Sequence, residues 1–207
     1  MNTLPITRRR LIVASCMMSL GGCSLLPNPP TPQMYRLNPA DLDPADAPVP
    51  RGSLAIDTPT APENLDSDRI ALTRGSSRFA YFADSTWTDR VPALLRISLM
   101  EAFETNGQIA DVLTGADMTT AGYLLQTRVC AFTAGYDDAA ANPPVVEVSL
   151  DMRLVRLPGH RTVGHVLITE QSIAARNKVS SVVRAFDVAT GTVLNRCVAW
   201  TLKAMHG

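Results

Sequence analysis

From Val146 to Arg153 the chain alternates without a break: Val146, Val148, Leu150 and Met152 are apolar, while Glu147, Ser149, Asp151 and Arg153 are polar. A period of two puts the first set on one face of a strand and the second on the other, so this segment must bury one side and wet the other. The strand expected over 145–157 ends at Leu157-Pro158-Gly159-His160, where Pro-Gly suits the central positions of a type II turn. A second strand, over 162–174, follows it. Connections this short join antiparallel neighbours, and with a further strand over 122–133 they predict a meander of long antiparallel strands.

Shorter strands are expected at 34–37, 53–56, 69–74, 78–82 and 109–113. Arg69 to Arg74 alternates polar with apolar, and Gly75-Ser76-Ser77 separates it from its hairpin partner. A helix is predicted over 88–106, with Thr88 or Asp89 as cap, Pro92 in the first turn and Gly107 as the stop. Val91, Leu94, Leu95, Leu99, Ala102 and Phe103 recur at spacings of three and four, an apolar stripe that faces a core. The alternative, a helix lying on a membrane surface, would want a basic polar face, and this one carries Arg90, Arg96, Glu101 and Glu104. Residues 179–205 read as mostly helical, with Val182, Val183, Phe186, Val193, Leu194, Cys197 and Val198 on one side; Gly191 leaves one helix or two open.

Composition narrows the function classes. Of 207 residues 46% are hydrophobic and 18% charged, which sets the chain apart from disordered sequences. Nineteen basic residues balance nineteen acidic ones, so there is no electrostatic footprint for phosphate backbones, and nucleic acid is not an expected partner. Motifs for catalysis are missing from the sequence: it has no CxxC, HExxH, GxSxG or Gly-rich phosphate loop. His160 and His165 flank the turn between two strands, but no third ligand stands at metal-site spacing, and exposed hairpin histidines are the plainer reading. His206 stands apart from both. Asp84 and Asp89 bracket Trp87 and could form paired carboxylates; helix capping by one and solvent exposure of the other is the plainer use. The expectation is a protein that is not an enzyme and needs neither cofactor nor metal.

The first residues are set aside from the fold. Arg8, Arg9 and Arg10 precede an apolar run from Leu11 to Leu20, too short for a membrane-spanning helix of about 20 residues. Leu20-Gly21-Gly22-Cys23 resembles the lipobox of bacterial lipoproteins, with 1–22 as signal peptide and Cys23 as the acylated first residue of the mature chain; cleavage without lipid, or a buried hydrophobic N-terminus, is the alternative. Thr7 to Ile12 also looks like a twin-arginine export signal, leaving the export route open. Losing residues 1–22 removes three Arg and no acid, so the mature chain is mildly acidic. Two or three acyl chains, at about 0.8 kcal/mol per buried CH₂, hold stably where one would not. Residues 23–33 then form a tether, with four prolines between Ser24 and Gln33 that favour an extended spacer. Cys130 and Cys197 remain as candidates for a disulfide in an oxidising compartment, or as two buried free thiols.

Tyr35-x-Leu37, Asn64-Leu65-Asp66-Ser67-Asp68-Arg69-Ile70-Ala71-Leu72-Thr73-Arg74, and Trp87 leading into the helix resemble the ABC-type transport auxiliary lipoprotein family. Thr88 departs from that family's usual small residue after the Trp. The resemblance implies an α/β fold over 34–207: a central, mostly antiparallel sheet flanked by two main helices. It also implies a lipid-anchored place on the periplasmic face of the outer membrane, and partnership with an MCE-domain protein and the permease and ATPase of an inner-membrane ABC transporter. The cargo would be phospholipid or another hydrophobic molecule. Two functions are expected to compete: a docking or structural component without catalysis, and a stand-alone envelope lipoprotein that binds a lipid or envelope polymer in its own pocket.

Overall fold

A computed structural model describes residues 31–46, 52–75, 77–137, 142–157 and 159–206. The signal segment, Cys23 and almost all of the tether lie outside these residues. The described chain builds eight strands and two long helices: β1 (Gln33–Tyr35), β2 (Ser53–Ile56), β3 (Arg69–Arg74), β4 (Arg78–Trp87), α1 (Val91–Asn106), β5 (Asp111–Leu113), β6 (Tyr123–Tyr136), β7 (Val145–Arg156), β8 (Arg161–Ile173) and α2 (Val179–His206). This is the expected mixed α/β class in a single domain.

β6 is the spine. Along one side it pairs antiparallel with β7 from Tyr123↔Arg156 to Gly135↔Val145, and β7 continues antiparallel to β8. These three strands are the meander that the alternation predicts. The other side of β6 is shared. β2 pairs parallel at one end (Leu54↔Tyr123, Ile56↔Leu125) and β3 parallel at the other (Leu72↔Ala134, Arg74↔Tyr136). Between them the chain after β2 stays hydrogen-bonded to β6, with Thr60 N–H donating to the Thr127 carbonyl at 2.9 Å and Val129 N–H to that of Thr60 at 2.8 Å. β4 and β1 extend the sheet beyond β3, and β5 beyond β2. The long antiparallel pairings, β3–β4, β6–β7 and β7–β8, join strands consecutive in the chain, whereas the short parallel ones join strands that are not.

The helices follow their apolar stripes. Val91, Leu94, Leu95, Leu99, Ala102 and Phe103 are all buried, which places α1 in the core. Its start differs from the expectation. Arg90 is the N-cap and makes no side-chain cap bond, while Thr88 N–H donates to the Tyr35 carbonyl and Val91 N–H to that of Ser67. The Ser67 carbonyl, in the loop before β3, thus satisfies the first helical N–H, and the bond to β1 fixes the chain just ahead of the helix. Gly107, at φ 73°, ends the helix as expected.

α2 is one helix of 28 residues, unbroken at Gly191. Here glycine makes room for a neighbour: a Cβ on residue 191 would stand 1.9 Å from the Ala40 carbonyl oxygen. The segment after β1 straps across α2 at this point. Asn38 N–H donates to Asp187 Oδ1 at 2.8 Å, Ala40 N–H to the Asp187 carbonyl at 3.1 Å, and Asn195 Nδ2 to the Asp41 carbonyl at 2.7 Å.

Trp87, Phe132 and Phe186 join the layers. Phe132 on β6 stacks on Phe186 of α2 at 4.5 Å between centroids, and Trp87 meets Phe186 edge-on at 5.3 Å. All three are at most 1% exposed. On the meander, Leu125, Val129, Val148, Leu150 and Met152 are buried beneath the helices, while Gln126, Arg128 and Arg153 on the opposite face reach solvent.

Candidate functional site

The residues that carry the family resemblance form a structural joint. Trp87 N–H donates to the Asp68 carbonyl at 2.7 Å, and Arg90 Nε to Asp66 Oδ1 at 2.8 Å, with the Arg90 terminal nitrogen also reaching the Asp66 carbonyl. Arg69 lies 3.8 Å over the Tyr81 ring. The block therefore docks β3 onto the entry of α1. Its ion pair is solvent-exposed on both sides and of the kind that contributes little to stability.

A second cluster lies on the open face of the meander. Registry puts Arg128 of β6 directly opposite Asp151 of β7, and Arg153 opposite His165 of β8. Arg128 donates to Asp151 Oδ2 at 2.5 Å, and His165 Nε2 lies 2.5 Å from Asp151 Oδ1. Arg153 Nε and a terminal nitrogen donate to Thr162 Oγ1. The hydrogen bond from Arg128 holds the Asp151 carboxyl below its ordinary range against the opposing effect of burial, with His165 adding to the same direction. The same bond raises Arg128. Together with Asp57 and Thr60 these side chains border a shallow groove of about 400 Å³.

Asp151 is bonded at each oxygen by one neighbour, and the groove brings it next to donors of charge-assisted hydrogen bonds. Its chemistry is that of a polar recognition surface. Among the described residues no group of three or more His, Cys, Asp or Glu is placed to hold a metal ion. A separate small cavity, bordered by Ile109, Tyr123, Leu202 and Met205, encloses about 210 Å³, below the ~300 Å³ at which ligand pockets usually begin.

The residues singled out in the sequence fare differently. His160 stands exposed in the turn at φ 48°, beside Gly159 at φ 85°, and its N–H closes the turn on the Leu157 carbonyl. His165, the other hairpin histidine, belongs to the Asp151 cluster. Asp84 and Asp89 are both exposed; Asp84 sits at φ 50° in an irregular stretch of β4, and Asp89 accepts from Arg90 N–H. Of the two alternatives for Cys130 and Cys197, the structure has both free. Cys130 is the unpaired residue where the β6–β7 register slips between Val129 and Ala131, and it is exposed. Cys197 is fully buried in α2, where burial pushes its thiol up to about 12. An exposed bulge and a helix core are not facing positions. Arg128, Asp151 and Arg153 went unremarked as a site because their only sequence signal is polar alternation; the partnership depends on cross-strand register, which residue spacing does not report.

Fold and surface together define a two-layer α/β domain with an open, polar sheet face. The family of ABC-type transport auxiliary lipoprotein components matches residues 35–203, and the chain belongs to that family. A Xanthomonas campestris protein of the DUF330 family has the same fold: 24% identity and a TM-score of 0.75 over 84% of this chain and 97% of that one. An uncharacterized protein of Bradyrhizobium diazoefficiens is 28% identical over 167 residues, 81% of this chain, which spans 44% of that relative's length. No helix among the described residues is long and apolar enough to cross a membrane.

Proposed function

We propose that this protein is the lipid-anchored docking component of an ABC-type transport system that works with an MCE-domain protein to move phospholipid or another hydrophobic cargo. The family match over 35–203 carries this reading. Acyl chains on Cys23 moor the domain to the periplasmic face of the outer membrane, the proline-rich tether spaces it from the bilayer, and the permease and ATPase in the inner membrane supply the energy. The protein holds position and performs no catalysis. The charge-assisted cluster on the open sheet face supports this role, because polar groups with fixed geometry give a partner orientation and specificity.

The test uses the full chain expressed in its native host. Intact-mass measurement after membrane extraction should find residues 1–22 gone and Cys23 diacylated or triacylated. Crosslinking in cells should then recover the MCE-domain protein with it. An unmodified Cys23, or recovery without any transporter component, would refute the proposal; a retained lipid in native mass spectra would instead favour a lipid-binding protein.

A further inference from the structure

β8 ends the sheet. It is a strand of 13 residues that pairs with β7 alone, and among the described residues no strand covers its other edge. Sheet edges in monomeric proteins are usually blunted by short length, lysine, proline or bulges, because an unpaired row of N–H and C=O groups recruits another strand. β8 has one such device, a register slip at Val163. From Gly164 to Ile173 it runs in unbroken register and contains no lysine, arginine or proline. Leu167 and Ile173 are 57% and 71% exposed. Glu170, the one acid in this stretch, is paired with Arg196 of α2.

We infer that this edge is an interface between two copies of the chain, with β8 pairing antiparallel to its own copy about a two-fold axis at Leu167. The side chains around the axis suit a second copy in this register. Centred on Leu167, the pairing sets Leu167 against itself, Val166 against Ile168 of the second copy, His165 against Thr169, and Glu170 against Gly164, the residue without a side chain. Around the axis apolar groups meet apolar groups and no like charges face each other, the pattern that stabilises cross-strand pairs; toward the strand ends Val163 meets Gln171 and Arg161 meets Ile173. Moving the axis by two residues to Thr169, a four-residue change of pairing, would put Ile168 against Glu170 and Leu167 against Gln171. A two-fold axis normal to the sheet keeps both open faces on one side, so the two Asp151 clusters become parts of one surface. This inference is independent of the transport partner and survives or fails without it.

Site-specific crosslinking of the full chain in membranes provides the test. In a Cys130→Ser background, Leu167→Cys places two thiols opposite each other at a Cα separation of about 4.5–5.5 Å, within disulfide reach. Ile173→Cys places them about 40 Å apart, twelve residues along the paired strands. Mild oxidation should convert most Leu167→Cys protein to a covalent dimer and leave Ile173→Cys at the background of its parent. Native mass spectrometry of the unsubstituted full chain in detergent should show the same dimer. The proposal is overturned by an alkylatable Leu167→Cys thiol that forms no dimer, by equal crosslinking at both positions, by capture of a different protein at residue 167, or by a native spectrum of monomers alone.

Discussion

Gly191 shows how one residue's absence of atoms fixes a neighbour. With Ala40 O where its Cβ would be, Gly191→Ala must push the strap off α2 or bend the helix, and overpacking of this kind costs about 3 kcal/mol. Urea unfolding should show a lowered midpoint with an unchanged slope. Asp151 gives a pH-dependent counterpart. Its pKa in the folded protein is depressed, so its contribution to stability is fully present above the unfolded value of about 3.9 and is lost as pH falls through the folded value. Asp151→Asn should therefore destabilise near neutral pH by about 1 kcal/mol, a modest figure because Arg128 is largely exposed. The gap from the parent should close as pH drops below 4, and urea titrations at pH 7 and pH 3 will read it. An equal gap at both would remove the charge from the explanation.

At the scale of elements, legibility tracked distance along the chain. The strands β6 to β8 and both helices were readable because their periodicity persists over many residues and their turns are local. The Leu94, Leu99 and Phe103 stripe of α1 and the Val182, Phe186 and Leu194 side of α2 are the buried faces. The 3-10 turn over Gly115–Thr120 had no such pattern and was missed. So were the parallel pairings of β2 and β3 with opposite ends of β6, which are set by contacts distant in sequence. The Asp151 cluster was hidden for the same reason. Trp87 lies where these distant contacts meet, touching Phe132 of β6 and Phe186 of α2. Trp87→Ala should cost about 4 kcal/mol, and Trp87→Phe, which keeps a ring in the cluster, clearly less. Thermal unfolding of the two variants separates loss of the ring from loss of the indole nitrogen.

For the whole molecule the sheet divides labour between its faces. One packs on the core beneath α1 and α2; the other, across β6, β7 and β8, is uncovered by any helix among the described residues. Truncation of the exposed arginines on that outer face should leave stability nearly untouched while weakening assembly. Arg128→Ala with Arg153→Ala is expected to leave the parent's unfolding midpoint nearly unchanged and to reduce recovery of transporter components in crosslinking.

The proposal turns on whether this lipoprotein binds transporter machinery. The most direct measurement is quantitative mass spectrometry of what the tagged full chain retains after crosslinking in its native membranes, set against a Cys23→Ala chain. We predict that the MCE-domain protein is enriched with the parent chain and that the Cys23→Ala chain leaves the membrane fraction and loses that enrichment. A parent chain that brings down no MCE, permease or ATPase component, or a Cys23→Ala chain that stays on the membrane, would contradict the account.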